Sequence, residues 1–198
     1  TPITLGNKGK WVAECCMFST LADRFTGSEW FSSITDGTGA NFTDEEFVNA
    51  LKAFEELYDL GAFNEDANSI DNKQARAAYY NGTAAMMFEG GWTVSGIEQD
   101  APEEIRNVTE FGAWPTVEGQ KGDSAAIAGG SGWAFAYNAK IDDKKKDVIM
   151  DIMKELSSET YARESLKYST LSAIHLDYGE DEVTPLFKKY MESIEDAK

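Results

Sequence analysis

The sequence predicts a helix-rich α/β chain with a small mixed sheet, and three observations carry that expectation. Residues 47–58 and 148–156 repeat apolar side chains at helical spacing behind residues that cap helix starts. Residues 84–88 form a short uncharged run bounded by glycines, as a buried strand does. Residues 133–137 alternate Trp, Phe and Tyr with alanine, the period of a strand with one bulky face.

In order along the chain, residues 1–5 are extended, with Pro2 at an edge, and Gly6-Asn7-Lys8-Gly9 is a loop. Residues 10–25 read as a helix with Trp11, Cys15, Phe18, Ala22 and Phe25 on its core stripe. Trp11 stands at the loop–helix junction, where it either caps the core or faces a cleft. Residues 26–41 place Gly27, Gly37 and Gly39 among Ser and Thr, the composition of a loop. Trp30 and Phe31 within it either seal the core beneath or reach a ligand.

Thr43 and Glu46 make a capping box for a helix with Phe47, Ala50, Leu51, Phe54, Leu57 and Tyr58 on one apolar face. Gly61 closes that helix. Asp71 caps the next, which Asn81-Gly82 stops. Past the run at 84–88, residues 94–99 form a short helix and Pro102-Glu103-Glu104 starts a turn. Residues 109–114 read as a strand ended by Pro115, and 117–124 as a polar loop. After the aromatic strand, Asp142 or Asp143 caps a helix whose Val148, Ile149, Ile152, Met153 and Leu156 form its buried face. Ser158-Glu159 begin another helix, and Thr184-Pro185 open the last.

The bulk chemistry narrows the function. At 198 residues the chain suffices for one domain with a second partial unit. A net charge of −17 argues against a nucleic-acid surface, which needs clustered Lys and Arg. No apolar run approaches a membrane span. Cys15 and Cys16 are adjacent, fit neither a C-x-x-C redox motif nor a zinc site, and read as buried packing residues. His175 is the sole histidine, so no His-based relay or multi-His metal site exists within the chain. Gly129-Gly130-Ser131-Gly132 has neither dinucleotide nor Walker spacing, and no G-x-S-x-G elbow occurs. The expectation is a non-enzymatic protein without metal or cofactor.

What remains is binding chemistry, centred on the end of the uncharged run. Ligands of open α/β sheets sit beyond the carboxyl ends of the strands. There Glu89, Gly90, Gly91 and Trp92 combine an acid, a glycine pair with accessible amides and a flat apolar ring. Trp92 either stacks on a ligand or packs beneath the short helix it starts. Glu89 either accepts from ligand hydroxyls or is a capped surface acid.

The phrase Asn81-Gly82-x-Ala84-Ala85-Met86, followed by Gly90-Gly91-Trp92, resembles the signature of family 1 extracellular solute-binding proteins of ABC sugar importers, the maltose-binding-protein-like cluster. Further phrases continue the resemblance in order: Thr1-Pro2-Ile3 leading towards Trp11, Glu56-Leu57-Tyr58-Asp59-Leu60-Gly61, Trp114-Pro115, Gly129-Gly130-Ser131-Gly132 and Met153-Lys154-Glu155-Leu156-Ser157-Ser158-Glu159. The resemblance implies a type II periplasmic-binding-protein-like fold, mostly its second lobe. Residues 1–130 would be that lobe, 131–180 a return segment into the first lobe, and 181–198 a helix packing back. It implies a non-catalytic carbohydrate-capturing component outside the cytoplasm, as a surface lipoprotein or periplasmic protein, with its targeting segment outside this chain.

On this resemblance Trp92 stacks on sugar, Trp11 neighbours the cleft, and Gly130 and Ser131 lie on a cleft-facing loop. The implied partners are a sugar or oligosaccharide, ABC permease subunits and the absent first lobe. Without that lobe the strand at 133–137 would lack its neighbours, which predicts either rearranged packing or an oligomer that exchanges the segment. A carbohydrate-active enzyme fragment using Glu89 with another acid, or a surface carbohydrate-binding or sensor module, is the alternative.

Overall fold

The computed structural model describes residues 1–129 and 134–195. Two short strands, β1 (Ile3–Thr4) and β2 (Met86–Met87), pair in parallel, with Ile3 opposite Met86 and Thr4 opposite Met87. Parallel neighbours require a crossover. Here it consists of a π-helical segment (Val12–Phe18) running into α1 (Ser19–Thr26), then α2 (Ser28–Asp36), α3 (Glu45–Asp59) and α4 (Asn72–Tyr80). After β2 come α5 (Thr93–Asp100), α6 (Glu103–Val108), α7 (Asp143–Leu156), α8 (Glu159–Leu166) and α9 (Pro185–Ile194). The helix-rich α/β architecture is as the sequence predicts.

Two apolar clusters hold the elements. Under the strands, Leu5, Val12, Ala13, Met17, Phe63 and Ala67 are buried together. Around α5, Val94 and Ile97 meet Tyr80 of α4, Leu166 of α8, and Leu186 and Phe187 of α9. Glu98 on the same helix accepts from the hydroxyls of Ser169 and Thr184, so a polar tie reinforces the apolar one. Local signals behave as expected at several ends. Asp71 and Gln74 form a capping box on α4. Asp142, Ser158 and Thr184 accept amide protons at the starts of α7, α8 and α9.

Several expectations need correction. The segment beginning at Val12 is π-helical, and i→i+5 turns carry more residues per turn than an α-helix. The buried stripe therefore slips to Val12, Ala13 and Met17, leaving Trp11 and Cys15 exposed and Cys16 half-buried. Residues 28–36 are helix rather than loop: Gly37 closes α2 in the left-handed region (φ 66°), which glycine adopts without steric cost. Trp30 seals core. Its ring stacks on Phe47 at 5.0 Å, and its Nε1 donates to Asp44.

That bond also explains why the expected capping box at α3 is absent. The Asp44 carboxylate is held by Trp30 and the Asn41 amide, while Thr43 donates to Asn41 Oδ1. Leu51 and Tyr58, placed on the apolar face of α3, are exposed. The strand expected at 84–88 contracts to Met86–Met87, with Met86 exposed on the sheet edge.

Residues 109–114 form no strand. Their aromatics pack individually, Phe111 on Tyr190 and Trp114 on Phe88, and the Trp114 carbonyl is taken by Arg24. Among the described residues of the aromatic stretch, 134–137 are not strand, and Phe135 and Tyr137 are exposed; Trp133 lies outside the described residues. Val148 and Ile152 of α7, expected in a buried face, are exposed too.

Candidate functional site

The carboxyl ends of both strands lead to tryptophans. Beyond β1, the loop at 6–10 is pinned by Asn7: its amide donates to Ala67 (2.7 Å), its Nδ2 to Asn68 Oδ1 (3.1 Å), and its Oδ1 accepts from the Ala13 amide (3.2 Å). This fixes the start of the π-helical segment and with it Trp11. Beyond β2, Phe88 packs edge-on against Trp114, and Glu89-Gly90-Gly91 turns the chain into Trp92, which immediately precedes α5. The Gly90 and Gly91 carbonyls accept from the Thr93 and Val94 amides, building the first turn of that helix.

The two indoles meet. Their ring centroids lie 6.0 Å apart with planes tilted by 53°. Trp11 is 41% exposed and Trp92 50% exposed, so each keeps a face open to solvent. Trp92 is therefore not a core residue of the short helix. Tilted apolar faces beside a polar rim are what a ring-shaped polyol needs, with its C–H bonds against the indole and its hydroxyls at the edge.

Glu89 lies behind this pair, its side chain only 7% exposed. The Trp92 Nε1 donates to its Oε2 (3.0 Å), and Asn72 Nδ2 donates to Oε1. Arg76 Nε stands 3.7 Å from Oε1, an ion pair rather than a hydrogen bond. Burial pushes the Glu89 carboxyl above its ordinary range, and Arg76, Asn72, Trp92 and the Gly90 amide oppose that push. The same burial, with the Glu89 charge next in order, raises the Cys16 thiol to about 11.

The glycine pair admits close neighbours. A Cβ on Gly90 would lie 2.2 Å from the Trp92 ring, and one on Gly91 would lie 2.1 Å from the Tyr190 hydroxyl. Protein groups thus occupy the space the glycines open: the indole lies over Gly90, and α9 presses on Gly91.

The structure brings together Trp11, Glu89, Gly90, Gly91 and Trp92. Gly130 and Ser131 lie outside the described residues. Asn72 and Arg76, four residues apart and on one face of α4, were not legible as site residues: the helix spacing shows that they share a face, but not that the face meets Glu89. Arg24 was missed as well. It is fully buried in α1 and donates to the carbonyls of Trp114, Asp123, Ser124 and Ala126, fixing the segment that leads to Gly129. Among the described residues, no group of three or more His, Cys, Asp or Glu side chains is placed to hold a metal ion, and no helix is long and apolar enough to cross a membrane.

Comparison with solved structures finds chains of matching fold. A chitin oligosaccharide binding protein superposes with a TM-score of 0.87 at 25% identity, covering 98% of this chain and 47% of that one. A protein solved in work on xylan utilization by the thermophilic bacterium Caldanaerobius polysaccharolyticus superposes with a TM-score of 0.81 at 23% identity, covering 98% of this chain and 49% of that one. The chain thus spans about half the length of these structures. No curated protein sequence matches it. The family of bacterial extracellular solute-binding proteins matches residues 8–163, most of the chain, and the chain belongs to that family.

Proposed function

We propose that this chain is mainly one lobe of an extracytoplasmic carbohydrate-binding protein that closes over its ligand and passes it to the permease of an ABC importer. The observation that carries the reading is the pair of half-open indoles, Trp11 and Trp92, at the carboxyl ends of two parallel strands. The family and the match to a chitin oligosaccharide binding protein support a carbohydrate ligand. The span of about half of each solved structure supports a second body supplying the rest of the cleft. In this reading residues 1–130 belong to the second lobe and 131–180 return towards the first. The final helix comes back, consistent with the packing of Leu186 and Phe187 on α5. The exposed Phe135, Tyr137, Val148 and Ile152 fit a segment whose neighbours belong to the other lobe. The ligand-contacting groups are Trp92 and Trp11 as stacking faces, with Gly130 and Ser131 as further contacts; the glycine pair at 90–91, covered by the Trp92 indole and Tyr190, seats the ring rather than meeting the ligand.

Calorimetry on the full-length protein with a panel of chito-oligosaccharides and xylo-oligosaccharides, with chromatography of each sugar afterwards, tests this. Saturable binding without turnover is expected. Turnover of a bound sugar, or no binding across a broad carbohydrate panel, overturns it.

A further inference from the structure

Glu89, Asn72 and Arg76 form a polar cluster at the edge of the Trp92 indole. An indole offers a ligand two faces and a single donor, its Nε1–H. In Trp92 that donor is already given to Glu89 Oε2 at 3.0 Å. The other carboxylate oxygen takes the Asn72 amide and pairs with Arg76 at 3.7 Å, and the side chain is 7% exposed. A ligand resting on the indoles thus has little access to the carboxylate. The opposite constraint on the ring comes from below, where a Cβ on Gly90 would lie 2.2 Å from it. A ring held by its N–H and seated on a glycine backbone has lost its side-chain freedom before any ligand arrives, so binding does not have to supply that ordering.

We infer that Glu89, clamped by Asn72 and Arg76, is a positioning residue that fixes the Trp92 indole at its tilt to Trp11 and so prepares the stacking surface, rather than a group that accepts from the ligand itself. The role rests on the carbohydrate-stacking reading above. It assigns Asn72 and Arg76 of α4 to the site, one step removed from the ligand. It also sets a specificity rule. With the indole donor and the carboxylate both spent inside the protein, Trp92 recognises the apolar face of a sugar ring and discriminates little among its hydroxyls.

The test uses the full-length protein, with the probe being whichever oligosaccharide of the calorimetric panel binds the wild type. Glu89→Met removes both acceptors at similar volume, whereas Glu89→Gln retains an amide oxygen for the indole N–H. Hydrogen exchange of the Trp92 Nε1–H, followed by NMR without sugar, should quicken roughly tenfold or more in Glu89→Met and recover in part in Glu89→Gln. Affinity should fall ~3- to 10-fold in Glu89→Met, by a similar factor for deoxy analogues of the sugar, and should not fall further when the substitution is added to Trp92→Ala. Unchanged indole exchange in Glu89→Met overturns the proposal. So does an affinity loss that persists in the Trp92→Ala background, or one that vanishes for a single deoxy sugar, since either marks direct contact. Should Glu89→Met fail to fold, Asn72→Ala, which leaves Glu89 Oε1 with Arg76 alone and loosens the clamp, decides by the same exchange measurement. If Trp92→Ala alone leaves affinity unchanged, the stacking reading fails, while the exchange measurement still decides whether Glu89 positions the ring.

Discussion

Replacing Arg24 by methionine removes a guanidinium that is fully buried and bound to backbone at both terminal nitrogens. Its Nη1 donates to the Asp123 carbonyl at 2.8 Å. Its Nη2 donates to the carbonyls of Ala126 at 2.9 Å and of Trp114 and Ser124 at 3.2 Å each. An ion pair to Asp23 at 3.4 Å adds to the set. Hydrogen bonds to a charged group contribute about 1.5–3 kcal/mol each, so a simple sum would reach roughly 6–12 kcal/mol. That sum overstates the loss, because a segment released from Arg24 turns its carbonyls to water. Removing one member of a buried charged network costs about 3–5 kcal/mol, and that is the loss expected here. Urea unfolding of the full-length protein gives the global part. Hydrogen exchange read by mass spectrometry gives the local part, which should concentrate at residues 114–126 and at the Lys121 amide bonded to the Arg24 carbonyl. Arg24→Lys should fall between, since an ammonium cannot reproduce the planar fork. A loss below about 1 kcal/mol with unchanged exchange at 114–126 would show that Arg24 does not hold this segment.

Gly91→Ala places a methyl 2.1 Å from the Tyr190 hydroxyl, whose ring is itself packed against Phe111 and Phe187. It should destabilise by about 1–3 kcal/mol, and Tyr190→Phe in the same chain should recover part of that, both read by thermal unfolding. Glu89 predicts a pH dependence of definite sign. Its folded carboxyl is raised above the ordinary 4.5, chiefly by burial. Below that value both folded and unfolded states hold the proton and the site is neutral in its effect. As pH rises from 4.5 through the raised value, the unfolded state ionises first and stability falls, then levels off. The stability difference between wild type and Glu89→Gln should decline across that window in chemical denaturation at several pH values, and a rise there would contradict the assignment.

The sequence carried the fold class, and it pointed to the candidate site, because those signals are written locally. Asn81-Gly82 and Gly90-Gly91-Trp92 punctuate the chain at β2, and the caps Asp71, Asp142, Ser158 and Thr184 are read from neighbouring residues. The site's support was not legible, because it depends on contacts distant in sequence. Asn72 reaches Glu89 across 17 positions, and Arg24 reaches Ala126 across 102. A stripe drawn at α-helical period failed where the backbone opens into a π-helix, which moved Cys15 and Trp11 outward. The glycine-rich composition of 26–41 concealed a helix because Gly27 and Gly37 sit at its two ends rather than inside it. The strand expected at 109–114 failed differently: Phe111 and Trp114 each find a separate aromatic partner, Tyr190 and Phe88, and no ladder forms.

Isothermal titration of the full-length wild type and its Trp92→Ala variant with one bound oligosaccharide decides whether the indole carries sugar binding. Losing a stacked indole should weaken binding by about 1–3 kcal/mol, roughly 5- to 150-fold, with folding retained. Equal affinities in the two proteins would contradict the account.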